Sequence, residues 1–196
     1  MSASTSGGSE LSFSELVFSD LRRYRDVEKP TWFGVLARCL VLPGMIASII
    51  LRAQQCLFRS GHTRAAHMLR TVGVVLVGAD FTPGMTIGTG LLIPHPVGIT
   101  MGNDTVIGND VGIAQGVTIG ARIPDDRDQP YPVICDGAVL MAHAVVVGDV
   151  RVGVGAQVGA NSLVLNDVPD HAIVVGVPAR RIASQASDPG TPNPST

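Results

Sequence analysis

A histidine between two prolines is the first residue of this chain that suggests chemistry. His95 lies in the run Pro94-His95-Pro96, and the proline rings restrict the backbone around it. An imidazole held on an outer face can act as a general base near neutral pH. Taken alone, the run fits equally well a surface histidine without a role.

Asp80 precedes His95 by fifteen residues and favours a functional site. A carboxylate that bonds one ring nitrogen fixes the tautomer of the imidazole and stabilises the imidazolium formed during proton transfer. Asp80 could instead be a turn former at the end of a strand, which is a common use of aspartate. The pair predicts general-base catalysis if the fold places both side chains on adjacent layers.

A six-residue repeat between Ile87 and Pro169 provides such layers. One position in six is aliphatic eleven times out of twelve, and this exceeds what an apolar content of 45% would give by chance. Three residues further on, Gly, Asn and Asp recur, and these residues suit turns. Three hexads make a triangular coil of eighteen residues, and coils stack at roughly 4.8 Å. The repeat predicts a mainly β protein, a parallel β-helix of about five coils.

The register of the repeat breaks after Val117, because the seventeen steps to Ile134 are not a multiple of six. We therefore predict an extruded loop at 121–132, the usual place for a binding site in a repeat fold. We place the β-helix at 74–169, after a helical cap at 11–73 and before a return segment at 170–183. Disordered tails are expected at 1–10 and 184–196. Within this plan, the fourth cap helix ends near residue 72 and the first strand covers 74–77.

Composition excludes several classes of function. The formal net charge is −2 and no basic run stands out, so nucleic acid is not an expected partner. Three widely spaced cysteines argue for a reducing compartment, and the chain shows no signal peptide, so we predict a cytoplasmic protein. The most apolar window, 39–51, is too short for a membrane span, which needs about 20 residues.

Several runs of the chain resemble the serine acetyltransferase family of hexapeptide acyltransferases. They begin at Asp80, His95 and Gln115, and the match continues through Val152-Gly-Val-Gly and Val175-Gly-Val-Pro-Ala-Arg. The resemblance implies a left-handed β-helix, acetyl-CoA as donor, and a catalytic dyad of His95 and Asp80. It also implies homotrimers with active sites between neighbouring subunits.

The same resemblance implies where CoA, or another acyl-CoA, would lie. The expected contacts are small residues beside the loop, with one arginine near the end: Gly120, Ala121, Ala142, Gly159, Ala160, Ala179 and Arg180. Corner geometry alone also explains each small residue singly. The histidines and cysteines have no spacing typical of a metal site, and no metal is expected.

The chain departs from the family at the positions that hold the amino acid. Pro94 replaces the aspartate that usually precedes the catalytic histidine, and the loop offers Arg127 and Tyr131 without the family's histidine. The acidic residue of the cap has no clear equivalent near Glu28 or Lys29. A zwitterion needs charged partners for both of its charges. We therefore predict a different acceptor, a sugar or specialised-metabolite hydroxyl, lined by Arg127, Tyr131 and Pro94.

Two alternatives to this acceptor remain open at this point. One is a genuine serine O-acetyltransferase of cysteine biosynthesis, and the other is an inactive β-helix scaffold. The presence of both Asp80 and His95 favours an enzyme over a scaffold. A complex with cysteine synthase is not expected, because the chain does not end in the isoleucine by which many family members dock.

Overall fold

The computed structural model describes residues 11–24, 29–123 and 129–184. Within these ranges, four helices form an amino-terminal cap and fourteen strands follow. The helices are α1 (Phe13–Leu21), α2 (Trp32–Cys39), α3 (Pro43–Arg59) and α4 (Thr63–Val77). The tails predicted at 1–10 and 184–196 lie outside the described residues, except that residue 184 is the last residue of a strand.

Local sequence signals set the starts of the cap helices. Ser12 and Glu15 form a reciprocal capping box at the start of α1, so two backbone N–H groups that lack helical partners are satisfied. The Thr31 side chain accepts a hydrogen bond from the Gly34 N–H at the start of α2. In α3, Pro43 occupies the first turn, where its missing N–H costs nothing.

The predicted strand at 74–77 is wrong, because α4 continues through this segment. The helix ends at Gly78, whose φ of 67° provides a left-handed C-cap. Gly73 packs against Ile50 of α3, and Val77 is buried in the core of the coils. Tertiary packing of one helical face therefore overrides the strand propensity of a valine-rich run.

The strands form the three faces of a parallel β-helix. Face 1 contains β1 (Asp80–Phe81), β3 (Thr100–Met101), β6 (Thr118–Gly120), β9 (Val145–Val147) and β12 (Leu163–Val164). Face 2 contains β2 (Thr86–Ile87), β4 (Val106–Ile107), β7 (Val133–Ile134) and β10 (Arg151–Val152). Face 3 contains β5 (Gly112–Ile113), β8 (Val139–Leu140), β11 (Gln157–Val158), β13 (Ala172–Val175) and β14 (Arg180–Ser184). The five rungs of face 1 match the predicted number of coils.

The repeat predicted the core, but its register shifts once. All twelve of the one-in-six positions are buried. In the first half of the β-helix, however, the inward strand positions are Met101, Ile107, Ile113 and Ile119, each two residues later than predicted. The cause is a longer first coil. Asp80 pairs with Thr100, twenty residues on, whereas Thr100 pairs with Thr118 after eighteen.

Two further irregularities shape the β-helix. Thr118 pairs with Val145 after 27 residues, so the chain between β6 and β7 adds a loop of nine residues to one coil. The described ends of this loop are 121–123 and 129–132. At the carboxyl end, β13 extends face 3 in parallel with β11, and only β14 turns back in an antiparallel pair. The reversal expected near residue 170 therefore occurs after β13.

A buried ion pair joins the cap to the first coil. The Arg52 guanidinium donates to both carboxylate oxygens of Asp20 at 2.9 and 2.7 Å, and both side chains are fully buried. Arg52 also donates to the carbonyl oxygen of Gly88 at 2.7 Å, and Asp20 accepts from the Leu91 N–H at 2.9 Å. The pair thus satisfies backbone groups of the coil while it fixes the position of α1 and α3.

The outer side of α4 is apolar and exposed. Met68, Val72, Val75 and Leu76 line one groove on it, and Val75 is 83% exposed. In the described part of the chain, no helix has both the length and the apolar character required to cross a bilayer. An exposed apolar face of this kind typically marks a contact surface.

Candidate active site

His95 lies in the connection between β2 and β3, at the corner that joins face 3 to face 1. The two extra residues of the first coil fall here, because Ile93 and Met101 are inward positions eight residues apart instead of six. The side chain of His95 is exposed. Among the described residues, none forms a hydrogen bond with its imidazole. The ring is therefore available to a ligand from outside the coil.

The cap fixes the backbone just before His95. The Tyr24 hydroxyl donates to the carbonyl oxygen of Ile93 at 3.0 Å, and burial raises the pKa of Tyr24, which keeps it protonated as a donor. Gly44, in the first turn of α3, packs so closely that a Cβ there would lie 1.7 Å from the same oxygen. Tyr24 and Gly44 therefore fix the backbone of Ile93, the residue before Pro94 and His95. Pro94 itself is half-buried.

Asp80 is the first residue of β1, and its carboxylate bonds an arginine. Arg70 of α4 donates from Nε to Oδ1 at 2.5 Å and from Nη2 to Oδ2 at 2.7 Å. The hydrogen bonds that Arg70 donates to Asp80 raise the pKa of Arg70. The predicted carboxylate-to-imidazole contact with His95 is not among the bonds that the described residues make. Arg70 is the partner that the sequence analysis missed.

Both members of the predicted dyad nonetheless lie at the same corner. The Gly98 N–H donates to the Gly78 carbonyl oxygen at 2.8 Å, and these residues lie three after His95 and two before Asp80. The twenty-residue coil thus returns His95 to the edge of face 1 where Asp80 begins.

Five of the seven residues predicted to contact CoA lie along the same corner, further from the cap. The Asn161 N–H donates to the Ala142 carbonyl oxygen at 2.9 Å, which stacks Ala160 beside Ala142 on adjacent coils. Gly159 directly follows β11, and the Ala179 N–H donates to the Leu163 carbonyl oxygen at 2.7 Å. Arg180 follows at the start of β14 and is exposed.

The other predicted contacts lie at the opposite edge of face 1. Gly120 ends β6, and Ala121 begins the extruded loop. Tyr131 is the residue before the last of the loop, and its ring packs over Gly102, where an added Cβ would lie 2.7 Å from Cε1. At about 3.3 Å per residue, the four steps from the His95 corner at 98 to Gly102 span roughly 13 Å. Within one chain, Tyr131 therefore lies far from the corner that holds His95 and Asp80. Arg127 lies outside the described residues.

Comparison with known proteins gives the family. No protein-family model matches the chain. The serine acetyltransferase of Bacillus subtilis is 36% identical over 156 residues, which are 80% of this chain and 70% of that protein. The chain belongs to the serine acetyltransferase family. Serine acetyltransferase 4 of Arabidopsis thaliana is 36% identical over 163 residues, 83% of this chain and 45% of the relative.

Solved structures of the family agree with the fold. The Neisseria gonorrhoeae serine acetyltransferase in complex with serine has a TM-score of 0.77 and 31% identity, covering 87% of this chain and 69% of that one. A serine acetyltransferase in complex with CoA has a TM-score of 0.74 and 34% identity, covering 87% and 69%. The left-handed β-helix predicted from the resemblance is confirmed. The chain spans about half the length of several curated relatives, 45 and 50% of two from Arabidopsis thaliana and 59% of one from Haemophilus influenzae.

Three residues of this family member escaped sequence reasoning. Arg70, Tyr24 and Gly44 all lie in the cap, and each contacts Asp80 or Ile93 from a position that is distant in sequence or depends on helix phase. A helix continued to residue 77 would have placed Arg70 two turns before the end of α4, ten residues before Asp80. Within the described ranges, no group of three or more His, Cys, Asp or Glu side chains could hold a metal ion.

Proposed function

We propose that this chain transfers an acetyl group from acetyl-CoA to the hydroxyl of L-serine. The observation that carries the proposal is the exposed imidazole of His95, at the corner where Asp80 begins the first rung. Relatives named serine acetyltransferase match about four fifths of the chain. A structure of the family in complex with CoA supports the choice of donor.

His95 is the general base of the proposed reaction. Its neutral imidazole takes the proton from the acceptor hydroxyl while the oxygen attacks the thioester carbonyl carbon. An O–C bond forms, the C–S bond breaks, and His95 returns the proton to the departing CoA sulfur. The acetyl group moves directly from donor to acceptor, so His95 ends the cycle in its starting form.

Asp80 stabilises the imidazolium that forms in this cycle. An ionised carboxylate offers about four lone-pair sites, and Arg70 uses two of them. A site on each oxygen remains for the imidazole N–H. The ion pair with Arg70 is thus compatible with a hydrogen bond from His95 when the acceptor binds.

The donor is proposed to lie along the corner between faces 3 and 1. Ala142, Gly159 and Ala160 leave room there for the pantetheine arm, because their side chains are small. At Gly159 an added Cβ would lie 2.6 Å from Cγ1 of Val175, so a larger residue there would displace Val175. Beyond them, Ala179 adds a small surface, and the exposed Arg180 offers a cation for the CoA phosphates.

Serine replaces the sugar or specialised-metabolite hydroxyl predicted from the sequence. That prediction depended on missing charged partners at Pro94 and in the loop, but the relatives are named for serine. A serine zwitterion still needs partners for its charges, since burial without them is expensive. Arg127 remains the proposed partner of the serine carboxylate.

An acceptor panel tests the proposed substrate. CoA thiol release from acetyl-CoA is followed with L-serine, L-homoserine, an amino sugar and a neutral sugar at equal concentrations. We expect L-serine to give the highest kcat/KM. A sugar preferred over serine would refute the acceptor, whereas no thiol release with any acceptor would refute the transferase and favour the scaffold.

The active form is proposed to be a homotrimer with sites between subunits. His95 and Tyr131 lie at opposite edges of face 1, so a site that uses both needs two chains. A cyclic head-to-tail contact joins opposite edges of neighbouring copies and closes without open growth. The exposed apolar face of α4 and the exposed Val97 supply surface for such a contact. Light scattering that shows an active monomer would refute this assembly.

A further inference from the structure

Arg70 makes a two-point contact with the Asp80 carboxylate, the proposed partner of His95. It lies on α4, ten residues before Asp80, and its guanidinium meets the carboxylate edge to edge through two hydrogen bonds. Arg70 and Asp80 are each about one third exposed, at 35% and 33%. Two-point contact fixes the orientation of a carboxylate as well as its position.

Among the described residues, Arg70 is the one hydrogen-bond partner of the Asp80 side chain. β1 pairs with β3 alone, so Asp80 lies in the edge rung of face 1. Its main-chain N–H donates to the Ile99 carbonyl oxygen, but its carboxylate has no hydrogen-bond partner other than Arg70 among the described residues. Without Arg70, the Asp80 side chain is free to rotate about its own bonds.

We propose that Arg70 is a positioning residue that orients the Asp80 carboxylate towards His95 and moderates its charge. This inference rests on the proposed function, in which His95 is the base and Asp80 its partner. Arg70 touches neither substrate nor imidazole in this account. It acts through Asp80, by fixing which lone pairs face the corner and by offsetting the negative charge that the imidazole meets.

Within the described part of the chain, the charged groups nearest Asp80 set the sign of the effect on His95. The elements that pack most closely on β1 are α4 and β3. On α4 the titratable side chains are Arg64, His67 and Arg70, while β3 carries none. An unpaired carboxylate favours imidazolium more strongly than a carboxylate paired with an arginine. Loss of Arg70 should therefore move the acidic limb of the pH–rate profile to higher pH.

The test is a set of pH profiles of kcat/KM, with kcat measured in parallel. Arg70→Gln is expected to lower kcat about tenfold, as for a displaced catalytic partner. It should also move the acidic limb up by about half to one pH unit, as expected when a positive charge near an imidazolium is removed. Asp80→Asn should move the limb the other way. Arg64→Gln, an exposed arginine on the same helix, is the matched control and should match the wild type.

Two further variants test whether Arg70 acts through Asp80 and by its geometry. In an Asp80→Asn background, Arg70→Gln should change kcat by less than about twofold, because coupled residues are not additive. Arg70→Lys keeps the charge without the two-point contact, so it should restore the pH limb but not kcat. Circular dichroism checks that each variant is folded.

Three outcomes would overturn the inference while the proposed function stands. They are an Arg70→Gln profile equal to the wild type, an undiminished effect of Arg70→Gln in the Asp80→Asn background, and full kcat in Arg70→Lys. If the wild type is inactive, or if His95→Ala keeps its rate, the proposed function fails and the inference fails with it. The two failures are therefore distinguishable from one set of measurements.

Discussion

Gly44→Ala tests whether the cap positions His95. The added Cβ would lie 1.7 Å from the Ile93 carbonyl oxygen and 2.9 Å from the Tyr24 hydroxyl. Carbon and oxygen atoms in close contact stay about 3.3 Å apart, so backbone must move by roughly 1.5 Å. Either the start of α3 lifts from the coil, or Ile93 shifts and moves the residues that lead to His95.

The magnitudes follow from this displacement. Overpacking of this kind typically costs about 1 to 3 kcal/mol of folding free energy. In a chain of this size, that lowers Tm by roughly 2 to 12 °C. A misplacement of about 1 Å at a catalytic group can cost on the order of 10²-fold in rate. Gly44→Ala is therefore expected to lower kcat far more than its loss of stability would suggest.

The assay measures Tm by thermal unfolding and kcat by CoA thiol release, both well below Tm. Gly34→Ala in α2 is the matched control, because its Cβ would meet its nearest neighbour, Thr31 Oγ1, at an ordinary 3.4 Å. It should be neutral or slightly stabilising, since alanine favours a helix over glycine by up to about 1 kcal/mol. If Gly44→Ala keeps the wild-type kcat, the cap does not position His95, whatever happens to Tm.

Two other substitutions probe the fold and the donor site. Arg52→Met leaves Asp20 buried without its partner and should lower the free energy of unfolding by about 3 to 5 kcal/mol in urea titrations, whereas Arg59→Met at the exposed end of α3 should change it little. A loss below about 1 kcal/mol would contradict the structural role of the pair. Ala160→Phe should raise the KM for acetyl-CoA about tenfold, or ~1.4 kcal/mol, without a change in Tm, because Ala160 is exposed. An unchanged KM would remove this corner from the donor site.

The repeat was readable from sequence because a coil imposes a strict period on the side chains that fill it. From Ile134 onward, the one-in-six column coincides with the inward strand positions, as Leu140 and Val146 illustrate. Before the loop, the predicted column falls two residues short of the inward strand positions, because the first coil is two residues longer around His95. This shift was not visible in the sequence, because the column stays apolar. Ile99 and Met101 are both buried, so hydrophobicity alone could not tell one inward position from the other.

The candidate site could be predicted only in part from the sequence, because the residues that contact it lie in distant parts of the chain. The spacing of Asp80 and His95 was visible, and both lie at one corner. The contacts made by Arg70, Tyr24 and Gly44 depend on how the cap docks, which no local pattern encodes. The sequence analysis ended α4 near residue 72, because a valine-rich run favours a strand when it is considered without its neighbours. In the structure the helix continues to Val77 and places Arg70 beside Asp80.

The most direct test of the account is the turnover of His95→Ala with acetyl-CoA and L-serine. The control is His67→Ala, an exposed histidine on α4. A general base typically supplies about 10² to 10⁴ in rate, so His95→Ala should lose that factor in kcat while it keeps the wild-type Tm and the control keeps its rate. A folded His95→Ala variant that releases CoA at nearly the wild-type rate would contradict the proposed mechanism.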